Sequence, residues 1–113
     1  MRRGDVYYIT FEPRSGSKQR GLRPAVVISS DKMNRNPKWQ SFVVIPITSK
    51  IRLQSPTMVV FQAGIANLSQ ASAVICHQIT TIDRSKFGTF IGSFSSTELA
   101  QIEKGLQAAL GMF

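Results

Sequence analysis

The chain has 113 residues, 42% hydrophobic and 18% charged, which suits a single folded domain over 1–113 and excludes an intrinsically disordered chain. No run of about eighteen apolar residues exists and the start MRRGDVYYITFEP has no signal-peptide apolar stretch, so neither a membrane partner nor secretion is expected; the single cysteine, Cys76, cannot form an internal disulfide and suits a cytoplasmic location. The formal charge is +8, with 14 Lys and Arg against six Asp and Glu, which favours a polyanionic partner.

Val6 to Phe11 is rich in β-branched and aromatic residues and predicts a strand. Glu12 to Leu22 holds Pro13, Gly16 and Gly21 among polar residues and predicts a long loop. Ala25 to Ser29 is a nearly continuous apolar run, the mark of a central strand. Asp31 to Gln40 reads as a second polar loop carrying the single tryptophan, Trp39. Ser41 to Thr48 is the next strand, and Pro46 predicts an edge or a bulge near its end. Ser49 to Pro56 is a third loop with Lys50 and Arg52. Thr57 to Phe61 is a short strand, and Ala63 to Ser72 is irregular with a turn near Gly64. Ala73 to Ile82 reads as one long strand, Asp83 to Lys86 as a turn, and Phe87 to Phe94 as a returning strand.

The C-terminal segment is helical in pattern. Ser95 and Glu98 have capping-box spacing, and Leu99, Ile102, Leu106 and Leu110 form one apolar stripe. Gly111 is placed to end the helix. Gly105 costs about 1 kcal/mol relative to alanine inside a helix, which points to close packing there. Five or six strands followed by one helix predict a mainly β protein, a small and partly closed barrel with the helix covering it.

The charge is uneven. Residues 14–52 hold nine basic residues (Arg14, Lys18, Arg20, Arg23, Lys32, Arg35, Lys38, Lys50 and Arg52) against one acid, Asp31. Elsewhere five bases balance five acids. Such clustering raises positive potential over one face and attracts nucleic acid. Other chemistries find little support. The acids are scattered, His77 is the single histidine, and no pair has metal-ligand spacing, so no metal or cofactor is expected. On a strand, Cys76 and His77 point to opposite faces, which argues against a Cys–His dyad. Trp39 suits either base stacking or loop packing. What remains is cations, hydroxyls and amides, a set able to bind and polarise phosphate.

Several separated motifs then fall in one order. They are RGDVY (Arg3 to Tyr7), GS-x-Q-x-G-x-RPAVVI (Gly16 to Ile28), ITS (Ile47 to Ser49), QITTID (Gln78 to Asp83) and L-x-x-ALG (Leu106 to Gly111). Over essentially the whole chain this resembles the PemK/MazF family of toxin endoribonucleases. The resemblance implies a small β-barrel of the SH3-like and CcdB-like kind with a C-terminal α-helix. It implies a homodimer, metal-independent cleavage of single-stranded mRNA at short sequences, and inhibition by a cognate acidic antitoxin. It also implies attack by the RNA 2′-OH, giving a 2′,3′-cyclic phosphate and a 5′-OH.

Carried over by position, the family's catalytic arginine falls on Arg23 and its catalytic hydroxyl on Thr48. Ser17, Lys18, Gln19, Arg20, Lys50, Arg52, His77 and Gln78 are expected to contact RNA. Lys18 stands where many members carry an acid, and His77 where a carboxylate often precedes the glutamine. Both changes make the site more basic. The proton acceptor is left open between a phosphate oxygen, water and His77. The alternative reading is a toxin of the same fold that binds a protein target such as gyrase.

Overall fold

The computed structural model describes residues 1–11, 21–52 and 54–112, and within them seven strands and two α-helices form. The strands are β1 (Asp5–Phe11), β2 (Gly21–Val27), β3 (Ser41–Thr48), β4 (Met58–Phe61), β5 (Ser72–Ile75), β6 (Thr80–Asp83) and β7 (Phe87–Ser93). The helices are α1 (Asp31–Asn34) and α2 (Ser96–Leu110). The sheet runs β4-β5-β3-β2-β1-β7, with β6 also paired to β3, and all pairings are antiparallel. Its end strands β4 and β7 do not meet, so the sheet is not closed.

Patterning explains the order. In β1, Ile9 and Phe11 are buried on one face while Tyr8 and Thr10 are exposed on the other, and Val6, on that second face, is buried in the opposite core cluster. β2 and β3 are central and bury residues on both faces. Val26, Ile45 and Ile47 join one core cluster with Val6, Val74, Cys76 and Ile102. Ala25, Val27, Phe42 and Val44 join a second with Ile9 and Phe11. A strand buried on both sides reads as a continuous apolar run, which is the pattern seen in PAVVI and FVVIPI.

Helix α2 covers the first cluster. Ser95 Oγ accepts from Glu98 N at 3.2 Å, and Ser95 N donates back to Glu98 Oε1 at 2.8 Å, so the capping box is complete. Gly111 ends the helix with φ of 68°. A Cβ at Gly105 would sit 2.6 Å from Val59 Cγ2 and 2.8 Å from Cys76 Sγ. The glycine therefore lets the helix rest directly on β4 and the chain after β5. Arg3 ties the N-terminal segment to the same helix, with Nη1 2.7 Å from Glu103 Oε2.

The structure departs from the sequence reading in five places. The expected strand over 73–82 is two, β5 and β6, separated by a 3₁₀ turn at Cys76–Gln78, which raises the count from six to seven. β3 pairs with β6 through Ser41–Val44 and with β5 through Ile47 and Thr48. Ile45 and Pro46 lie between these stretches, opposite the longer segment 75–79, and the turn takes up the surplus. Pro46 thus sits in a central strand beside an interruption in its neighbour, and not at an edge. Next, the polar segment after Ser29 begins with a short helix. Ser30 Oγ caps it by accepting from Met33 N, and Asn34 is buried, donating to Ser29 O at 2.9 Å. Gly21 and Leu22, expected in the loop, belong to β2 and pair with Phe11 and Thr10. Finally, a 3₁₀ turn at Ile65–Asn67 orders part of the segment expected to be irregular.

Candidate active site

The ladder between β2 and β3 ends at Ala25↔Pro46. The next residue of β2 is Pro24, which has no N–H to extend it. Continuing the register by two residues puts Arg23 opposite Thr48, on one face of the two diverging strand ends. Their side chains meet there: Arg23 Nη2 donates to Thr48 Oγ1 at 3.3 Å. The Lys50 backbone N–H donates to the same oxygen at 3.1 Å. A hydroxyl has two acceptor lone pairs and one donor hydrogen. With both lone pairs engaged, the Thr48 hydrogen is left to donate to an incoming anion.

Arg23 and Thr48 line a cleft of about 360 Å³. Tyr8, Leu22, Ile47 and Ile91 give it an apolar part, and Lys50 adds a second cation. The facing wall is Asn67, Leu68, Ser69 and Gln70. That wall depends on backbone of unusual shape: Ala66 and Asn67 have φ of 52° and 61°, the left-handed region that L residues rarely adopt. It is held to the sheet at β7. Asn67 Nδ2 donates to Ile91 O at 2.9 Å, and a Cβ at Gly92 would strike the Ala66 carbonyl oxygen. Among the described residues, the polar groups lining the cleft are a guanidinium, an ammonium, hydroxyls and amides, with no carboxylate, thiol or imidazole.

The structure thus brings together Arg23, Thr48 and Lys50 of the residues expected from sequence. Arg52 is exposed between β3 and β4 and does not line the cleft. His77 and Gln78 lie in the 3₁₀ turn and do not line it either. His77 Nδ1 instead shares a 2.8 Å hydrogen bond with Thr57 Oγ1, which in turn bonds Ser55 Oγ at 2.8 Å. Ser17, Lys18, Gln19 and Arg20, with most of the expected Glu12–Leu22 loop, lie outside the described residues. Cys76 is buried in the core, its Sγ 3.6 Å from Ile102 O, and burial pushes its thiol up to about 11. A neutral, enclosed thiol is no nucleophile.

The residues missed from sequence are Tyr8 and the wall Asn67, Ser69 and Gln70. Gly64 and the small polar run after it marked a turn, but nothing in their spacing pointed at Arg23.

Residues 2–110 match the family model described as PemK-like, MazF-like toxin of type II toxin-antitoxin system. The chain belongs to the PemK/MazF toxin family. It is 30% identical over 113 residues to Endoribonuclease MazF of Staphylococcus saprophyticus, covering 99% of this chain and 92% of that protein. It is 31% identical over 116 residues to Endoribonuclease MazF9 of Mycobacterium tuberculosis, covering 100% and 98%. Among solved structures, MazF from Deinococcus radiodurans superposes with a TM-score of 0.81 at 26% identity, covering 99% of this chain and 97% of that one. A mycobacterial endoribonuclease in complex with its cognate antitoxin shares the fold with a TM-score of 0.79 at 23% identity, covering 100% and 97%. The PemK/MazF fold is therefore the mainly β sheet with a C-terminal helix described above.

Proposed function

We propose that this chain is a metal-independent endoribonuclease toxin that cuts single-stranded mRNA at short sequences and is held inactive by a cognate acidic antitoxin. The observation that carries the reading is the Arg23–Thr48 pair in an open cleft, in a chain whose relatives are named as endoribonucleases. RNA brings its own nucleophile, the 2′-OH. The protein then has to hold a phosphate in line and stabilise charge on its oxygens. Arg23 is always protonated and clamps a phosphate with charge-assisted bonds. Thr48 donates to a second phosphoryl oxygen. The 2′-oxygen bonds to phosphorus and the P–O5′ bond breaks. The 2′-OH proton passes to water or a phosphoryl oxygen, and the departing 5′-oxygen takes up a proton. The product ends are a 2′,3′-cyclic phosphate and a 5′-OH.

The lining supports the metal-free form of the reading, since Arg23 and Lys50 stabilise anions and, among the described residues, no carboxylate lines the cleft to neutralise a divalent cation. His77 does not line the cleft, which argues against His77 as the base. The same reading includes a homodimer acting in the cytoplasm, with Ser17, Lys18, Gln19 and Arg20 contacting RNA. The test is incubation of purified protein with long single-stranded RNA and excess chelator, followed by end analysis. Cleavage giving 2′,3′-cyclic phosphate and 5′-OH ends is expected. 5′-Phosphate and 3′-hydroxyl ends, or no cleavage without added metal, would overturn the mechanism.

A further inference from the structure

Trp39 is the chain's single tryptophan and is 43% exposed. It does not dangle. The turn that carries it is closed by Trp39 N donating to Asn36 O at 3.0 Å and by Lys38 N donating to Asn36 Oδ1 at 3.0 Å. Arg84, from the turn after β6, braces it from the other side. Its backbone N–H donates to Gln40 O at 2.7 Å, and its Nη2 donates to Trp39 O at 3.1 Å. The Arg84 guanidinium also lies 4.7 Å from the centre of the buried Phe42 ring, which fixes it in place. Lys38 stands on the Trp39 turn, Arg35 ends α1 just before it, and Lys86 stands on the Arg84 turn. Two carboxylates stand near these cations: Asp83 caps the Arg84 turn by accepting from Ser85 N, and Asp31, which interacts with Arg35, accepts from Arg3 N.

The result is a half-exposed aromatic ring on a backbone held from both sides, in a stretch of chain rich in cations. It stands at the Ser41 end of β3, whereas Thr48 stands at the other end. Seven residue intervals separate Ser41 from Thr48, at most about 23 Å along an extended strand. A rigid indole costs little conformational entropy when it stacks, and base–aromatic stacking joined to cations is how sequence-tolerant single-strand binding is built.

We infer that Trp39, with Arg84, Arg35 and Lys38, forms a second RNA-binding site, which stacks a base of the strand flanking the segment held in the cleft. The inference rests on the endoribonuclease reading for its ligand. The spacing corresponds to roughly seven stacked nucleotides at about 3.4 Å each.

Trp39 reports on itself, because all intrinsic tryptophan fluorescence comes from it. The probes are 2′-O-methyl RNA pools, which lack the attacking hydroxyl, of about six and about twenty nucleotides, below and well above the seven-nucleotide spacing. The long pool is expected to quench Trp39. Trp39→Ala should weaken its binding about fivefold or more, with Trp39→Phe keeping most of it. No quenching by the long pool, or equal binding by wild type and Trp39→Ala with the Phe variant folded, overturns the site. Quenching by polyglutamate and not by RNA also overturns it, assigning the ring to an acidic protein. The two readings separate cleanly. Cleavage of unmodified RNA without quenching sinks this site alone, while quenching without cleavage supports it and sinks the nuclease reading.

Discussion

Arg23 and Thr48 face each other two residues beyond the last hydrogen-bonded pair of β2 and β3. Neither is an isolated polar residue on a loop. Each continues a strand whose other residues are in the core: Ala25, Val26 and Val27 behind Arg23, and Ile45 and Ile47 behind Thr48. The pair is rigid because its strands are buried, and open because the ladder stops at a proline.

That relationship predicts coupling. Arg23→Ala should lower single-turnover cleavage by roughly 10²–10³, the usual cost of losing one oxyanion-type contact. Thr48→Val should lower it by a similar order, and Thr48→Ser should retain most activity. Because the two side chains bond each other, the double variant should lose much less than the product of the single losses. Fully multiplicative losses would show that they act independently.

The helix seat gives a stability prediction. Gly105→Ala would gain up to about 1 kcal/mol of helix propensity. It would also drive a methyl into Val59 and Cys76, and overpacking of this kind costs about 1–3 kcal/mol. Net destabilisation is expected, read as a lower midpoint in urea unfolding with cleavage at 25 °C unchanged. A more stable variant would mean that α2 lifts off the sheet at little cost.

Cys76 predicts an alkaline limit. Burial moves its thiol from 9.0 to about 11. Below about pH 9 the folded and unfolded chains both keep the proton, so the stabilisation is fully present. Between about 9 and 11 the unfolded chain loses it first, and stability falls as pH rises, by up to about 3 kcal/mol from this group. Cys76→Ala should be less stable at pH 7 yet flatter through that window. Equal slopes in unfolding curves at pH 8, 9 and 10 would assign the alkaline loss to other groups. The native thiol should also resist alkylation at pH 8 until the chain is unfolded.

Legibility in the sequence followed locality. The strand over 41–48 and the capped helix were readable because period and cap chemistry act within a few residues. Arg23 and Thr48 were legible through motifs of the same short range. The wall at 67–70 was not, because it reaches the cleft through left-handed Ala66 and Asn67, residues that carry no glycine signal. The split of β5 from β6 was equally hidden. CHQI alternates well enough for a strand, and only the pairing with β3 shows that three residues have no partners to meet. Helix α1 was missed because one turn has too few residues for a period, although Ser30 before Asp31 is a serviceable start signal.

Gly92 lets the 65–70 turn rest on β7, an edge strand, while Arg23 and Thr48 belong to the two innermost strands. The two sides of the cleft therefore have separate foundations. Asn67, Ser69 and Gln70 can be exchanged without disturbing the backbone under Arg23 or Thr48, provided residue 92 stays without a side chain. A scaffold built this way is modular: one wall of the cleft can change its side chains while the strand ends that carry the other stay as they are.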